Sequence, residues 1–192
     1  MNPTFTRRRV SAALAAAALA FSFGALAPQA VADDSDAPFG PGCASVPKQG
    51  AGSFEAMADV PVATAAADNP ALSTLATAVE KAGLAETLNK AEDITVFAPT
   101  NDAFAKIPKA DLDKVLADKA TLTEILTYHV VDEPVDKADL ADGSFKTLQG
   151  GTLTTDGSGD AYKVNDTASV VCGDVETSNA TVHLIDTVLM PE

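Results

Sequence analysis

The chain has 192 residues, and 27 acidic side chains against 13 basic ones set its formal charge at -14 and its pI at about 4.3. That balance excludes a nucleic-acid binder by charge. At this length one domain buries roughly 70% of its unfolded surface, enough for a core without a metal staple.

Arg7, Arg8 and Arg9 stand before an apolar stretch from Val10 to Ala27, and a small-x-small site follows at Ala30, Val31 and Ala32. Together these predict a secretory signal peptide over residues 1–32, cleaved after Ala32. Arg8-Arg9 also opens a twin-arginine reading, although the rest of that pattern is poorly matched. The first cysteine, Cys43, lies sixteen residues beyond Ala27, which favours a soluble exported chain over a lipid-anchored one. From Asp33 onward ten lysines stand against all 27 acids, hence -17, and no arginine remains. Such a surface repels polyanions and anionic membranes and lacks the bidentate clamps that arginine supplies. No later run of about 20 apolar residues follows, so no stable membrane insertion is expected. Two cysteines in an exported chain predict one disulfide, Cys43 to Cys172.

Residues 33–52 are rich in Pro, Gly and Asp and read as an N-terminal arm, pinned only by Cys43, ahead of a single domain over residues 53–191. From Asn69 the pattern turns helical. Asn69 is the N-cap, Pro70 takes the first position, Leu72, Leu75, Ala76 and Val79 form one stripe, and Gly83 ends it. A second helical piece covers 85–89, and the apolar, β-branched run 94–98 reads as a buried strand closed by Pro99. Asn101 can cap a short helix that carries Phe104 and Ile107 and stops at Pro108. Leu112, Val115 and Leu116, then Leu122, Ile125 and Leu126, mark two more helical pieces. After Tyr128 the texture becomes β: 129–131, 145–148, 152–155, 161–164, 169–171 and 181–189, separated by Gly, Asp and Asn turns. This tail reads as a meander, with 156–160 as a turn rather than a calcium loop. The fold class is α+β.

Chemistry leaves few traces. No GxSxG, HExxH, CxxC, Walker or GxGxxG pattern is present, no cofactor motif is visible, and the disulfide removes the one plausible thiol nucleophile. His129 and His183 each lie in an apolar run, where a packed, hydrogen-bonded histidine is expected rather than a ligand or base. Acid pairs such as Glu92-Asp93 fall at loops and helix ends as ordinary solvated surface. Asn165-Asp-Thr167 and Asn179-Ala-Thr181 are glycosylation sequons, relevant only in a host that modifies them.

Three segments carry a resemblance. TVFAPTNDAF (95–104), LTYHVV (126–131) and NATVHLIDTVLMP (179–191) resemble, in order, the first conserved motif, the tyrosine-histidine motif and the second conserved motif of the fasciclin domain. The signal peptide, the PGCA arm and the second cysteine in VVCG are similar to the mycobacterial secreted immunogenic members of that family. The resemblance implies a β-sandwich or wedge core with several helices packed to one side. It gives structural roles to Pro99, Thr100, Asn101 and Phe104, with Thr100 and Asn101 capping the helix after the strand. It makes His183 and Asp186 organisers of the closing strand. In animal members integrin contacts map to the tyrosine-histidine element and to an Asp-Ile pair. The matching positions here are Leu126, Tyr128, His129, Val130 and Val131, with Asp174 and Val175, although Cys172, Gly173 and Glu176 depart from the animal pattern.

The resulting expectation is a secreted, non-enzymatic adhesion protein with an extracellular or host surface or matrix protein as partner, a monomer or weak dimer. A secreted carrier of a lipid or other apolar ligand is the alternative. A glycan-modifying enzyme is a third class, which needs a pKa-shifted acid or histidine beside a cleft.

Overall fold

A computed structural model describes residues 37–191. The expected signal peptide lies outside these residues, as does the start of the arm. Seven α-helices come first among the described residues: α1 Phe54–Ala58, α2 Val62–Asp68, α3 Ser73–Ala82, α4 Ala85–Lys90, α5 Asn101–Ala105, α6 Lys109–Ala117 and α7 Lys119–Tyr128. Strand β1, Ile94–Pro99, interrupts them between α4 and α5. The remaining strands follow as β2 Val130–Val131, β3 Asp142–Lys146, β4 Thr152–Ser158, β5 Ala161–Val164, β6 Ala168–Glu176 and β7 Ala180–Ile185.

Local chemistry accounts for the best-defined helix. Asn69 accepts a hydrogen bond from the Ala71 N–H at 2.9 Å and opens a 3-10 turn, Pro70–Leu72, that runs into α3. Gly83, at φ 73°, takes the left-handed conformation that closes α3. The N–H groups of Gly83 and Leu84 then reach back to the Glu80 and Val79 carbonyls, a Schellman closure. Leu72, Leu75 and Val79 are buried along the expected stripe.

The sheet has the order β2-β1-β7-β6-β5-β4-β3. Strands β3 to β7 form the expected antiparallel meander, and β7 then lies parallel to β1. The two ends of this order approach each other. Val131 bridges Thr147, and the Leu148 N–H donates to the Val130 carbonyl at 2.8 Å. The wedge is therefore one nearly closed mixed sheet with helices on one side.

Two apolar cores result from the two-residue period of β1 and β7. Val96, Val182 and Leu184 face the helices with Leu75, Val79 and Leu126. Phe97 and Ile185 face the interior of the curled sheet with Leu140, Leu153 and Val164. Each of these large side chains contributes about 1.5–3 kcal/mol by leaving water. Asn179, ahead of β7, fastens the helical layer. Its amide donates to the Leu88 and Ala91 carbonyls at 2.8 and 2.7 Å, and its oxygen accepts from the Val62 N–H at 2.9 Å.

Four expectations are corrected. The arm is held by more than Cys43, because Phe39 is buried against Gly173 in a two-bond backbone bridge and Val46 joins the helical core. Thr100 alone caps α5. Asn101 turns away and caps the neighbouring helix instead, accepting from the Thr74 N–H at 3.0 Å and donating to the Pro70 carbonyl at 2.8 Å. Helix α7 continues through Tyr128 with His129 as its C-cap, so the strand starts at Val130. Strand β7 stops at Ile185 rather than continuing to Leu189, because the Asp186 carboxylate turns back to accept from the Ser169 N–H at 2.8 Å.

Candidate functional site

The tyrosine-histidine element is an interior one. Leu126, Tyr128, His129, Val130 and Val131 are all at most 6% exposed, as are Asp174 and Val175. The expected contact set is therefore buried in this fold, apart from the edge of Tyr128 that lines a surface groove. The physical reason is that α7 ends against β1, which covers the C-terminal turn of the helix: the Phe97 N–H donates to the His129 carbonyl at 2.9 Å.

Both histidines are neutral and fixed in tautomer. His129 Nε2 accepts from the Leu189 N–H at 2.9 Å, so its Nδ1–H donates to the Ile125 carbonyl at 2.8 Å. His183 is the mirror case. Its Nδ1 accepts from the Asp174 N–H at 3.2 Å and its Nε2–H donates to the Val135 carbonyl at 2.9 Å. Burial lowers each pKa from 6.5 to about 4, against the opposing pull of the backbone carbonyl. At 3.9 Å the Asp174 carboxylate is thus near a neutral ring and forms no ion pair with it. Asp174 itself sits at φ 51° where β6 slips register, and its other oxygen accepts from the Lys137 N–H at 3.2 Å.

The remaining motif residues hold backbone in place. Pro99 is buried at the end of β1, Thr100 accepts from the Ala103 N–H, and Phe104 packs into the helical core. Asp186 binds the Ser169 N–H, Lys106 at 3.0 Å and Thr187. Its partial burial pushes the pKa up, but these donors outweigh that and leave it lowered. Cys43 and Cys172 are joined as expected, with Cα atoms 4.8 Å apart.

A groove opens on the outside of the same element. Its volume is about 560 Å³, in the range of ligand sites. Alternation along β4 turns Thr152 and Thr154 outward while Leu153 and Thr155 go inward. The β5–β6 connection supplies the facing rim. Asn165 and Asp166 lie at φ 50° and 55°, and the Thr167 N–H closes on the Val164 carbonyl, which makes a type I′ turn. The chain after β7 forms the third side through Val188, Leu189, Met190 and Pro191. A polar relay ties rim to floor. Thr154 N–H donates to Asn165 Oδ1 at 2.9 Å, Asn165 Nδ2 donates to the Tyr128 hydroxyl at 2.9 Å, and that hydroxyl donates to the Thr152 carbonyl at 3.1 Å. Gly151 lies against the Tyr128 ring, where an added Cβ would come within 2.9 Å of it. Two large hydrophobics are exposed among the described residues. Met190 lines this groove and Leu148 adjoins the lining residue Gln149.

The voids elsewhere are smaller. Three between the helices and the sheet hold 20–30 Å³ each, about the volume of one water, and an open one between α2, α3 and α4 holds about 190 Å³. Among the described residues no three His, Cys, Asp or Glu side chains converge as metal ligands, and no helix is long and apolar enough to cross a membrane.

The family model described as Fasciclin domain matches residues 70–191. The chain belongs to the fasciclin family. The chain is 44% identical over 185 residues to immunogenic protein MPB70 of Mycobacterium bovis, covering 92% of this chain and 93% of the relative. It is 48% identical over 170 residues to cell surface glycolipoprotein MPT83 of Mycobacterium tuberculosis, covering 84% and 76%. A solved FAS1 domain pair from the insect cell adhesion molecule fasciclin I superposes with a TM-score of 0.50 at 20% identity, covering 62% of this chain and 45% of that one. That likeness concerns the fold.

In this fasciclin domain the groove residues Thr152, Thr154, Asp166 and Met190 went unread in the sequence. Two signals could have found them: threonines two apart on a half-exposed strand, and the Asn-Asp turn inside the first sequon.

Proposed function

We propose that this fasciclin-domain protein acts at the cell surface or outside the cell as a non-enzymatic adhesion module, and that it meets its surface or matrix partner at the groove beside Tyr128. The observation that carries this reading is the groove itself, which collects exposed Met190 and has exposed Leu148 at its margin. Apolar side chains gathered at one concave place mark an interaction site more than scattered ones do. The relatives support the location, since one is a cell surface glycolipoprotein. A carrier of apolar ligands receives less support, because the apolar voids between helices and sheet hold 20–30 Å³ each, too little for a lipid chain, and the open one of about 190 Å³ has Glu80 and Asn89 in its lining. A non-enzymatic role agrees with two histidines whose ring nitrogens are committed to backbone partners.

The test is attachment of disulfide-intact residues 33–192 to host cell layers, extracellular matrix and bacterial wall material, alongside a Leu148→Ala, Met190→Ala variant. Attachment weakened about tenfold or more, with an unchanged melting transition, supports the reading. Equal attachment by the variant overturns the groove as the adhesive face.

A further inference from the structure

We propose that the groove binds neutral glycan chains, an assignment that deepens the adhesion reading and rests on it. The argument starts from what the walls offer. Among the described residues no lysine or arginine lines the groove, and its charged lining residue is Asp166, while residues 33–192 together carry a net charge of -17. Phosphate, sulfate and carboxylate ligands would meet repulsion with no compensating clamp.

The polar wall is rich in acceptors. Thr154 directs its hydroxyl proton to Asn165 Oδ1 at 3.4 Å, and Thr167 directs its own to the Asn165 carbonyl at 2.8 Å. A hydroxyl whose proton is used still has oxygen lone pairs to accept with. With the Asp166 carboxylate these hydroxyls form a rim that asks for several neutral donors at close spacing. A sugar ring supplies that, because each hydroxyl can donate and vicinal pairs can bind a carboxylate together. The opposite wall is apolar, with Met190 and Pro191 placed to meet the C–H face of a ring. One polar and one apolar wall match the two faces of a pyranose.

Preorganisation supports the same occupant. The Thr154–Asn165–Tyr128–Thr152 relay fixes the rim before any ligand arrives, which lowers the ordering cost of a weak, hydroxyl-rich ligand. A purely apolar ligand would cover the Asp166 carboxylate and the threonine oxygens without offering them a donor, an unfavourable exchange. A cationic peptide would find one carboxylate and a wall of neutral groups.

The experiment is an NMR titration of disulfide-intact residues 33–192 with neutral gluco-, manno- and galacto-tetrasaccharides, with sulfated counterparts and tetralysine as comparison probes. Expected are saturable shifts confined to Thr152, Thr154, Asp166 and Met190 with at least one neutral tetrasaccharide, at about millimolar affinity or tighter. Thr154→Val and Asp166→Asn should each weaken binding about tenfold while the circular dichroism spectrum and melting stay the same. The asparagine tolerates the positive φ at 166, so that variant tests the carboxylate without the turn. No shift with any neutral probe overturns the assignment, as does a response to tetralysine or to the sulfated probes alone. The adhesion reading fails separately: if saccharides bind but the Leu148→Ala, Met190→Ala variant attaches normally, the glycan site stands and adhesion through it falls. If attachment needs the groove but survives removal of glycans from the target, the reverse holds.

Discussion

Lowering the pH from 7 toward 4 should destabilise this domain through two residues, His129 and His183. Both are buried and neutral, with pKa values of about 4 in the folded state, whereas an unfolded histidine titrates near 6.5. Between those values the unfolded chain binds the extra protons, so stability rises with pH. The contribution is complete above about pH 6.5 and is lost as pH falls toward about 4. A shift of this size amounts to roughly 3 kcal/mol per histidine, so the pair accounts for roughly 6–7 kcal/mol. That is comparable with the whole stability of many domains. In mid-window the slope should be about 3 kcal/mol per pH unit. Urea unfolding followed by circular dichroism at several pH values measures it, since the chain has no tryptophan to report by fluorescence. His183→Gln should lower stability yet halve the slope, and His129→Gln should do the same. A stability that is flat from pH 7 to 5, or a slope that survives both substitutions, would refute the reasoning.

Three further outcomes are expected. Replacing Cys43 and Cys172 by alanine should cost up to about 5 kcal/mol, the loop-closure value for a separation of 129 residues, read by urea unfolding with and without reductant. Asn179→Ala strands two carbonyls and one N–H and should cost about 2–4 kcal/mol by the same measurement, so an unchanged midpoint would show that the bonds carry nothing. Gly173→Ala places a Cβ in the Phe39 ring and should expel the arm, costing about 1–3 kcal/mol and bringing faster proteolysis near residue 39.

The sequence was legible where local chemistry and burial agree. Helix α3 shows its cap, stripe and stop at Asn69, Leu72 to Val79 and Gly83, so local rules placed it. Helices α1 and α2 lie in an alanine-rich stretch, 53–68, whose small side chains give little contrast between faces, and no element was read there. The burial of Phe39 depends on Gly173, far away in the chain, and on close approach of Gly40 and Gly42 to Val171. No local pattern encodes such a meeting. The apolar run around His129 was enough to expect a packed, hydrogen-bonded histidine, but not its partner, the Leu189 N–H, which is contributed by the far end of the domain. The groove is assembled from β4, a hairpin turn and the last segment, so its walls converge only in three dimensions.

The position of β7 governs how this chain can come to be folded. Among the described strands it is the last made, yet it sits between β1 and β6, and without it the two halves of the sheet touch at the closing edge alone, where Val131 bridges Thr147. Before residues 180–185 emerge from the ribosome, β1 and β6 each present an unpaired edge. Vectorial folding is thereby blocked, and the pairing of β1 with β7 across some 86 residues places the step among slow, non-local events. A fragment cut before Ala180 accordingly leaves β1 and β6 as open edges, prone to aggregation and to quality-control proteases.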